Sequence, residues 1–522
     1  MATKIFSRIK HNGVYYTPIK LAHFLAKPLI RATDLTVFDP AYGEGALLLA
    51  AEQIFSQKRN SRSFVLQLYG CDKAPKNGYL KHLPSHHLLK LDFFEYSLEK
   101  KFDLVLMNPP YVRHHIMSDR RRRECQKIVD EICRLKSTSD LWAYFLIKAV
   151  NHLKEAGNLG AILPWSFLQA EYALSVRKWL AERFKKIRVL ALGAHYFDNA
   201  QERTILVWLE GFGQPVRSIK ISFSQHPQGD LPYCDLDRGS WESENVLYSA
   251  THDIEAILRQ YIEEYNFNRF EEFADIRIGV VTGADSFFIL DAEEARERGF
   301  SHDHLIPIFT SSREFSGLSL NGSKPTKRLL SLTRRQYGNY RNYIRKGIRE
   351  KYHLRAHSLR REPWYSVNLG QTPDAFFPYR TSSIPYLIMN DQGVQCTNSI
   401  HRIYFKKLSQ EKRKWIQISL LSIPGQLSLE AYSKTYGQGI LKIEPRSLKK
   451  AIVSVGNDSN VGPVYDRISK LISDNNRVQA MKIATDFVNQ KLGIATKLSN
   501  SAYSALRELQ DRRSSKERRR GI

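Results

Sequence analysis

Residues 102–111 read Phe-Asp-Leu-Val-Leu-Met-Asn-Pro-Pro-Tyr. Phe102 to Met107 is an almost wholly apolar run of strand length, the pattern of a strand buried on both faces of a parallel sheet. Pro109 and Pro110 cannot continue a central strand, so the strand stops and a stiff loop opens at its carboxyl end. In an open α/β sheet that edge is where ligands bind. The loop places an amide (Asn108), a carbonyl with little freedom (Pro109) and an aromatic ring (Tyr111) on the rim. Those are the parts needed to hold a planar, amino-bearing ring. A proline-stiffened turn with a packing tyrosine is the structural alternative.

Upstream, Tyr15-Tyr16-Thr17-Pro18 leads into IKLAHFLAKPLI, which has helical spacing. Thr17 is expected to cap this helix, with Pro18 in its first turn. The strand LTVF then ends in Asp39-Pro40-Ala41-Tyr42-Gly43-Glu44-Gly45, and ALLLAAEQIF continues as a helix. Gly43 and Gly45 permit a sharp strand-to-helix passage and close approach of a ligand. A carboxylate there repels phosphate and suits a cationic or hydroxyl-bearing ligand, and the loop is neither G-x-G-x-x-G nor a phosphate loop. FVLQLYGC forms a second strand ending at Asp72, placed to accept from ribose hydroxyls. HHLLKLDFF suggests a third, ending at Asp92-Phe93, an acid for an adenine amino group and a ring for its face. Any one of these acids could be a helix cap or a solvated group. Four successive strand ends carrying Asp39, Asp72, Asp92 and Asn108 are harder to explain that way.

This set resembles the N6-adenine DNA methyltransferases of bacterial restriction–modification systems. The similarity is to the group whose cofactor motifs precede the catalytic motif and whose target-recognition domain is C-terminal. It runs through YYTP, DPAYGEGALL, YGCD, LDFF and NPPY, with Tyr42 at a position where the family varies. The resemblance implies a doubly wound, mostly parallel α/β sheet that binds S-adenosylmethionine. It implies that Tyr16, Thr17 and Pro18 close over the methionine end, while Asp39, Ala41, Gly43 and Gly45 approach methionine and ribose. Asp72 would take the ribose hydroxyls, Asp92 and Phe93 the adenine, and Asn108 would border the cofactor. Asn108, Pro109 and Tyr111 would be catalytic. In the later loop GAHYFDNAQER, Phe197 best matches the aromatic residue that covers the flipped base, with Tyr196 as the competing choice.

Beyond the motif, Arg113 and the run Arg120, Arg121, Arg122 are candidate DNA-phosphate contacts or simply a solvated face. Residues 140–153 have the look of an amphipathic helix, followed by the strand GAILP, a helix from Phe167 towards Phe184, and RVLAL and TILVWLE as the last two strands. The pattern then breaks into Gly, Pro, Ser and charged residues. This gives a catalytic domain over 1–245, a helical linker over 246–270, an α+β target-recognition domain over 271–455 and a helical segment with a basic tail over 456–522. IRIGVVTGADSFFIL reads as strand–turn–strand, and RNYIRKGIREKYHLRAHSLRREPWY as a basic helical run. Arg345, Lys346, Arg349, Arg355, Arg360 and Arg361 in that run are further phosphate candidates, against the alternative of a generic basic surface.

Composition agrees with this organisation. The 522 residues suit about two to four domains, and 42% hydrophobic with 25% charged residues is ordinary for a folded protein. Lys plus Arg is 79 and Asp plus Glu 53, a surplus of +26 that favours a polyanion such as double-stranded DNA. Five scattered cysteines without C-x-x-C spacing point to a reducing compartment and no structural zinc. No signal-peptide core and no apolar run of about 18 residues occurs, so the cytoplasm is expected. A cytosine C5 transferase would need a Pro-Cys nucleophile, which is missing, and the chemistry requires no metal. The strong motifs begin at residue 15, which predicts a separate cognate restriction endonuclease and a monomer acting on DNA. The expected activity is methyl transfer from S-adenosylmethionine to N6 of adenine by base flipping. The alternatives are a methyltransferase-like DNA-binding protein without activity, and an RNA or protein-glutamine methyltransferase.

Overall fold

The computed structural model describes residues 17–513 except 32, 34, 59–64, 77, 81, 83–86, 97–98, 193–202, 225–230, 232, 244–245, 247–253, 321–322, 437–438 and 457–460. The chain divides into two compact units, the first ending at residue 252 and the second spanning residues 253–514.

The first unit is built on a nine-stranded mixed sheet. Its strands are β1 (Leu35–Asp39), β2 (Leu66–Asp72), β3 (Leu88–Lys90), β4 (Phe102–Met107), β5 (Leu153–Pro164), β6 (Phe184–Leu192), β7 (Thr204–Phe212), β8 (Ser218–Ser224) and β9 (Cys234–Leu236). They lie in the order β3-β2-β1-β4-β5-β7-β6-β8-β9. The run β3-β2-β1-β4-β5 is parallel, whereas β7 is antiparallel to both β5 and β6. RVLAL and TILVWLE are therefore not the last strands. SIKISFS forms β8, parallel to β6, and β9 closes that edge. Its alternation of polar and apolar residues lies within the stretch that composition alone marks as a break.

The apolar run of β4 is buried on both faces, as its pattern predicts. Leu104 and Leu106 pack in a cluster with residues of helix α1 (Ile19–Ala26) and helix α2 (Ala46–Lys58). Val105 and Met107 face the opposite cluster, built with helix α3 (Asp119–Val129), helix α4 (Leu141–Val150) and helix α5 (Glu171–Ala181). Helix α4 departs from the amphipathic expectation, since all ten of its residues are buried. It lies on the sheet, with α3 and α5 also packed against it. Its one charged residue, Lys148, is buried too, and its Nζ donates to the carbonyls of Phe93 (2.6 Å) and Tyr96 (3.1 Å).

The second unit holds small sheets and helices. Eight of its strands, in chain order, are β10 (Ala274–Ile278), β11 (Ile289–Asp291), β12 (Leu305–Phe309), β13 (Lys327–Leu330), β14 (Ala375–Pro378), β15 (Ile388–Met389), β16 (Gln395–Cys396) and β17 (Ile400–Phe405). They form two four-stranded sheets, ordered β10-β17-β14-β15 and β11-β13-β12-β16. The expected strand–turn–strand over 276–290 is therefore split between two sheets, with a helical turn at Asp285–Phe288. The basic run is α-helical over Arg341–Arg349, helix α6; Lys351 adopts a left-handed conformation after it, and a single 3-10 turn follows over Tyr352–Leu354. Helices over Gly462–Ser473, Arg477–Leu492 and Thr496–Arg513 belong to this same unit.

Leu106 is fully buried in the cluster between the sheet and helices α1 and α2. Leu106→Ala should lower unfolding free energy by about 2–5 kcal/mol, as a cavity in a close-packed core does. Urea denaturation of the full chain measures it.

Candidate active site

Because β3, β2, β1 and β4 are parallel neighbours, their carboxyl ends share one rim. Across the sheet the order is Asp92, Asp72, Asp39, Asn108. The backbone folds between β1 and α2 with Gly43 at φ 54° and Gly45 at φ 92°, left-handed values that disfavour a side chain. Asp72 ties this loop down. Its Oδ2 accepts from the Gly43 N–H (2.9 Å) and its Oδ1 from the Ala74 N–H (2.7 Å). A carboxylate has about four acceptor sites, so Asp72, which is partly exposed, can still receive a ligand's hydroxyls.

Asp39 is 1% exposed and accepts from the Ala41 N–H at 2.9 Å. Burial, with the Asp72 carboxylate adding to it against the opposing pull of Ala41, pushes its pKa up to about 8. Asp92 is also buried, which raises its pKa, but cations and donors outweigh burial. Arg121 donates to Oδ1 at 2.8 Å, the Phe94 N–H donates at 3.0 Å, and Lys73 lies 3.4 Å from Oδ2, so the carboxyl is held below its ordinary range. Lys148 secures the turn that carries Asp92 by binding the Phe93 and Tyr96 carbonyls. Its own pKa is lowered to about 8 by burial. Sequence reasoning passes over this residue, and its only signal there is a lone lysine in an otherwise apolar helix.

Phe93 does not offer its ring to the rim. It is 2% exposed and packs in the core beside Phe38 (centroids 6.0 Å) and Phe145 (5.3 Å). The Asp92 side chain caps the turn, which directs the following phenyl inward. Phe94 instead carries the Arg121 guanidinium 4.7 Å over its ring.

At the end of β4 the Asn108 amide is held at both termini. Its Nδ2 donates to Thr17 Oγ1 at 3.0 Å, and its Oδ1 accepts from the Tyr111 hydroxyl at 3.1 Å. That hydroxyl is also 3.2 Å from the Ile162 carbonyl of β5. Thr17 does not cap α1: the capping position is Pro18, with no side-chain hydrogen bond to the helix. Tyr16, Tyr196 and Phe197 lie outside the described residues.

The arginine run divides by helical phase. Arg120 is 88% exposed and pairs with Glu124, whereas Arg121 is 24% exposed and committed to Asp92. Arg122 turns in as well, donating to the carbonyls of His114 (3.0 Å) and Met117 (3.4 Å). Arg121 and Arg122 therefore serve the fold rather than an exposed phosphate-binding face. Arg113, just past the motif, is half-buried. In the second unit Arg345, Lys346 and Arg349 are exposed on α6, above a buried Ile344. Arg360 is exposed, Arg355 reaches the Gly283 carbonyl at 3.2 Å, and Arg361 is turned onto the Val281 carbonyl.

Two family models match the chain. One, described as the Eco57I restriction-modification methylase, matches residues 52–196, and the other, the C-terminal domain of the type II methyltransferase M.Eco57I, matches residues 245–490. The chain is 24% identical to the type II methyltransferase M.AccI of Acinetobacter calcoaceticus, over 92% of this chain and 94% of that protein. It is 28% identical to M.BanIII of Aneurinibacillus aneurinilyticus, over 35% of this chain and 36% of that one. Among solved structures, the type IIL restriction-modification enzyme MmeI in complex with DNA is similar in fold. It has a TM-score of 0.56 at 13% identity, over 98% of this chain and 76% of that one.

The elevated pKa of Asp39 makes a stability prediction. The folded value lies above the unfolded one, so the folded state holds the proton more tightly. This contribution is complete below the unfolded pKa and is lost as pH rises towards 8. Asp39→Asn mimics the protonated form and should melt at nearly the wild-type temperature at pH 4. Its advantage over wild type should grow steadily up to pH 8. Thermal melts across this range check it; parallel curves would remove the proton from Asp39.

Proposed function

The chain belongs to the methyltransferases of bacterial type II restriction–modification systems, and from that premise we infer how its residues divide the work. It is an S-adenosylmethionine-dependent DNA methyltransferase, and its target is N6 of adenine in duplex DNA. The observation that carries the choice of N6 is the Asn108 amide, anchored by its nitrogen and presenting its oxygen beside two prolines at the end of β4. An acceptor fixed there meets an amino group.

The residues at the rim fit the cofactor. Asp39 is a buried acid with little compensation, suited to a cationic group, and Asp72 has spare acceptor capacity for hydroxyls. Asp92, Ala41, Gly43 and Gly45 line the same edge, and Tyr16, Thr17 and Pro18 precede α1. When bound, S-adenosylmethionine supplies an electrophilic methyl group on a sulfonium sulfur. The target adenine leaves the duplex at a cost of a few kcal/mol. Asn108 Oδ1 and the Pro109 carbonyl accept its N6 hydrogens, which draws the nitrogen lone pair out of conjugation. Tyr111, its hydroxyl tethered to Ile162, offers a ring face to the base, and Phe197, with Tyr196 as the competing choice, is the residue we propose for the other. Positioning and fixed dipoles supply the catalysis.

Residues 1–245 carry the chemistry and residues 271–455 select the DNA sequence, with Arg345, Lys346, Arg349 and Arg360 on backbone phosphates. The basic exposed face of α6 supports DNA over a protein-glutamine substrate. A separate endonuclease completes the system, with this protein acting as a monomer in the cytoplasm.

Two measurements test this reading. Asn108→Ala should keep S-adenosylmethionine and DNA binding while single-turnover methyl transfer to adenine falls by about 10²-fold or more, because a contact made in the transition state is lost. A variant that binds both ligands and transfers at the wild-type rate would overturn the active site. Removing Arg345 or Arg349 should weaken DNA binding similarly for all sequences. Each should reduce the slope of log K against log salt by about 1; an unchanged slope takes α6 off the phosphates.

A further inference from the structure

The Asn108 amide ends in a nitrogen and an oxygen of nearly equal size, and only hydrogen bonds decide which way round it sits. The two prolines hold the backbone of the loop but have no grip on this side-chain torsion. A half-turn would aim N–H groups at the incoming amino group, donor against donor. Something must hold the oxygen forward.

We propose that Thr17 is the positioning residue that sets the orientation of the Asn108 amide, so that its oxygen rather than its nitrogen meets the target amino group. Thr17 Oγ1 lies 3.0 Å from Asn108 Nδ2. Its hydroxyl is not spent on helix capping, because Pro18, not Thr17, occupies the capping position of α1. With the nitrogen held on that side, the oxygen lies towards Tyr111, whose hydroxyl is 3.1 Å away. Tyr111 can yield Oδ1 to a substrate, since its hydroxyl is also 3.2 Å from the Ile162 carbonyl. A threonine 91 residues upstream thus completes the motif.

This inference rests on Asn108 carrying the transfer, and that premise has its own test in Asn108→Ala. The full-length chain is compared as wild type, Thr17→Val, which keeps the shape without the hydroxyl, and Thr17→Ser, which keeps the hydroxyl. Cofactor affinity is read by calorimetry, and the single-turnover rate at saturating S-adenosylmethionine and duplex. Thr17→Val should lose about 10- to 100-fold in that saturated rate, the scale of a misplaced catalytic group, and Thr17→Ser should recover most of it. In an Asn108→Asp background both terminal atoms are acceptors and no orientation is left to set. There the valine substitution should reduce the residual rate far less.

A wild-type saturated rate for Thr17→Val, with or without weaker cofactor binding, overturns the proposal and leaves Thr17 a cofactor contact at most. The same fractional loss with Asn108 intact and in the Asn108→Asp background also overturns it, since Thr17 would then act independently of the amide. Wild-type transfer by Asn108→Ala marks the different failure, that of the active site itself.

Discussion

The parallel pairing of β1 with β2 on one side and β4 on the other is the constraint from which the site follows. Phe38 stands beside Tyr69 in β2 and Val105 in β4, so the three strands finish within two residues of one another. The buried stretches Val37–Phe38 and Leu104–Met107 carry no polar side chain before the strand ends. Polar groups therefore collect where the strands stop, and parallel alignment gathers those ends on one edge. The same alignment crowds three carboxyls, and the fold treats each differently. Asp92 is paired with Arg121 and Lys73, Asp72 accepts from two backbone N–H groups, and burial pushes the Asp39 pKa up. Three identical functional groups thereby acquire three chemistries.

Two kinds of loop then convert that rim into a site. The Gly43–Gly45 passage is open and ligand-accommodating, yet it is pinned to β2 through Asp72. The Asn108–Tyr111 loop is stiff by composition, and its side chains are cross-linked to the residue leading into α1 and to β5. Both loops are held by hydrogen bonds to neighbouring elements as well as by their own sequence. Preorganisation of this kind lowers what must be rearranged when charge develops in the transition state.

Much of this architecture is legible in the chain, for physical reasons that also mark where reading fails. A strand buried on both faces announces itself as a continuous apolar run, as β4 does. Strand-end acids announce the rim. β8 escapes such a reading because its alternating polar residues resemble a linker. Helix α4 reads as amphipathic because a charged residue in a helix normally marks solvent, whereas Lys148 finds carbonyl partners inside. Thr17 is drawn to the nearest helix because capping is a local interaction, while its partner Asn108 is remote in sequence. Phe93 is expected at the ligand edge, but which way a ring turns after a capped residue depends on the turn's hydrogen bonds.

The same limit governs the basic surplus. Net charge predicts an encounter with polyanions, but it does not say which cations are available to meet one. Within a single run, Arg120 is exposed beside its partner Glu124 while Arg121 balances a buried carboxylate and Arg122 binds carbonyls. In the second unit, Arg361 serves a loop carbonyl while Arg345 and Arg349 stand exposed. An arginine turned inward contributes to the far field but cannot release a counterion from a phosphate it never touches. The cations that face outward are therefore fewer than the sequence's charge implies, and in the basic run Arg345, Lys346 and Arg349 stand on the exposed face of α6. There, Ile344 anchors the helix and Gly347 lets it lie against Phe287 and Trp364, which fixes the outward direction of its cations. Where the sequence shows only a density of positive charge, the apolar side of a helix decides which of those charges face outward.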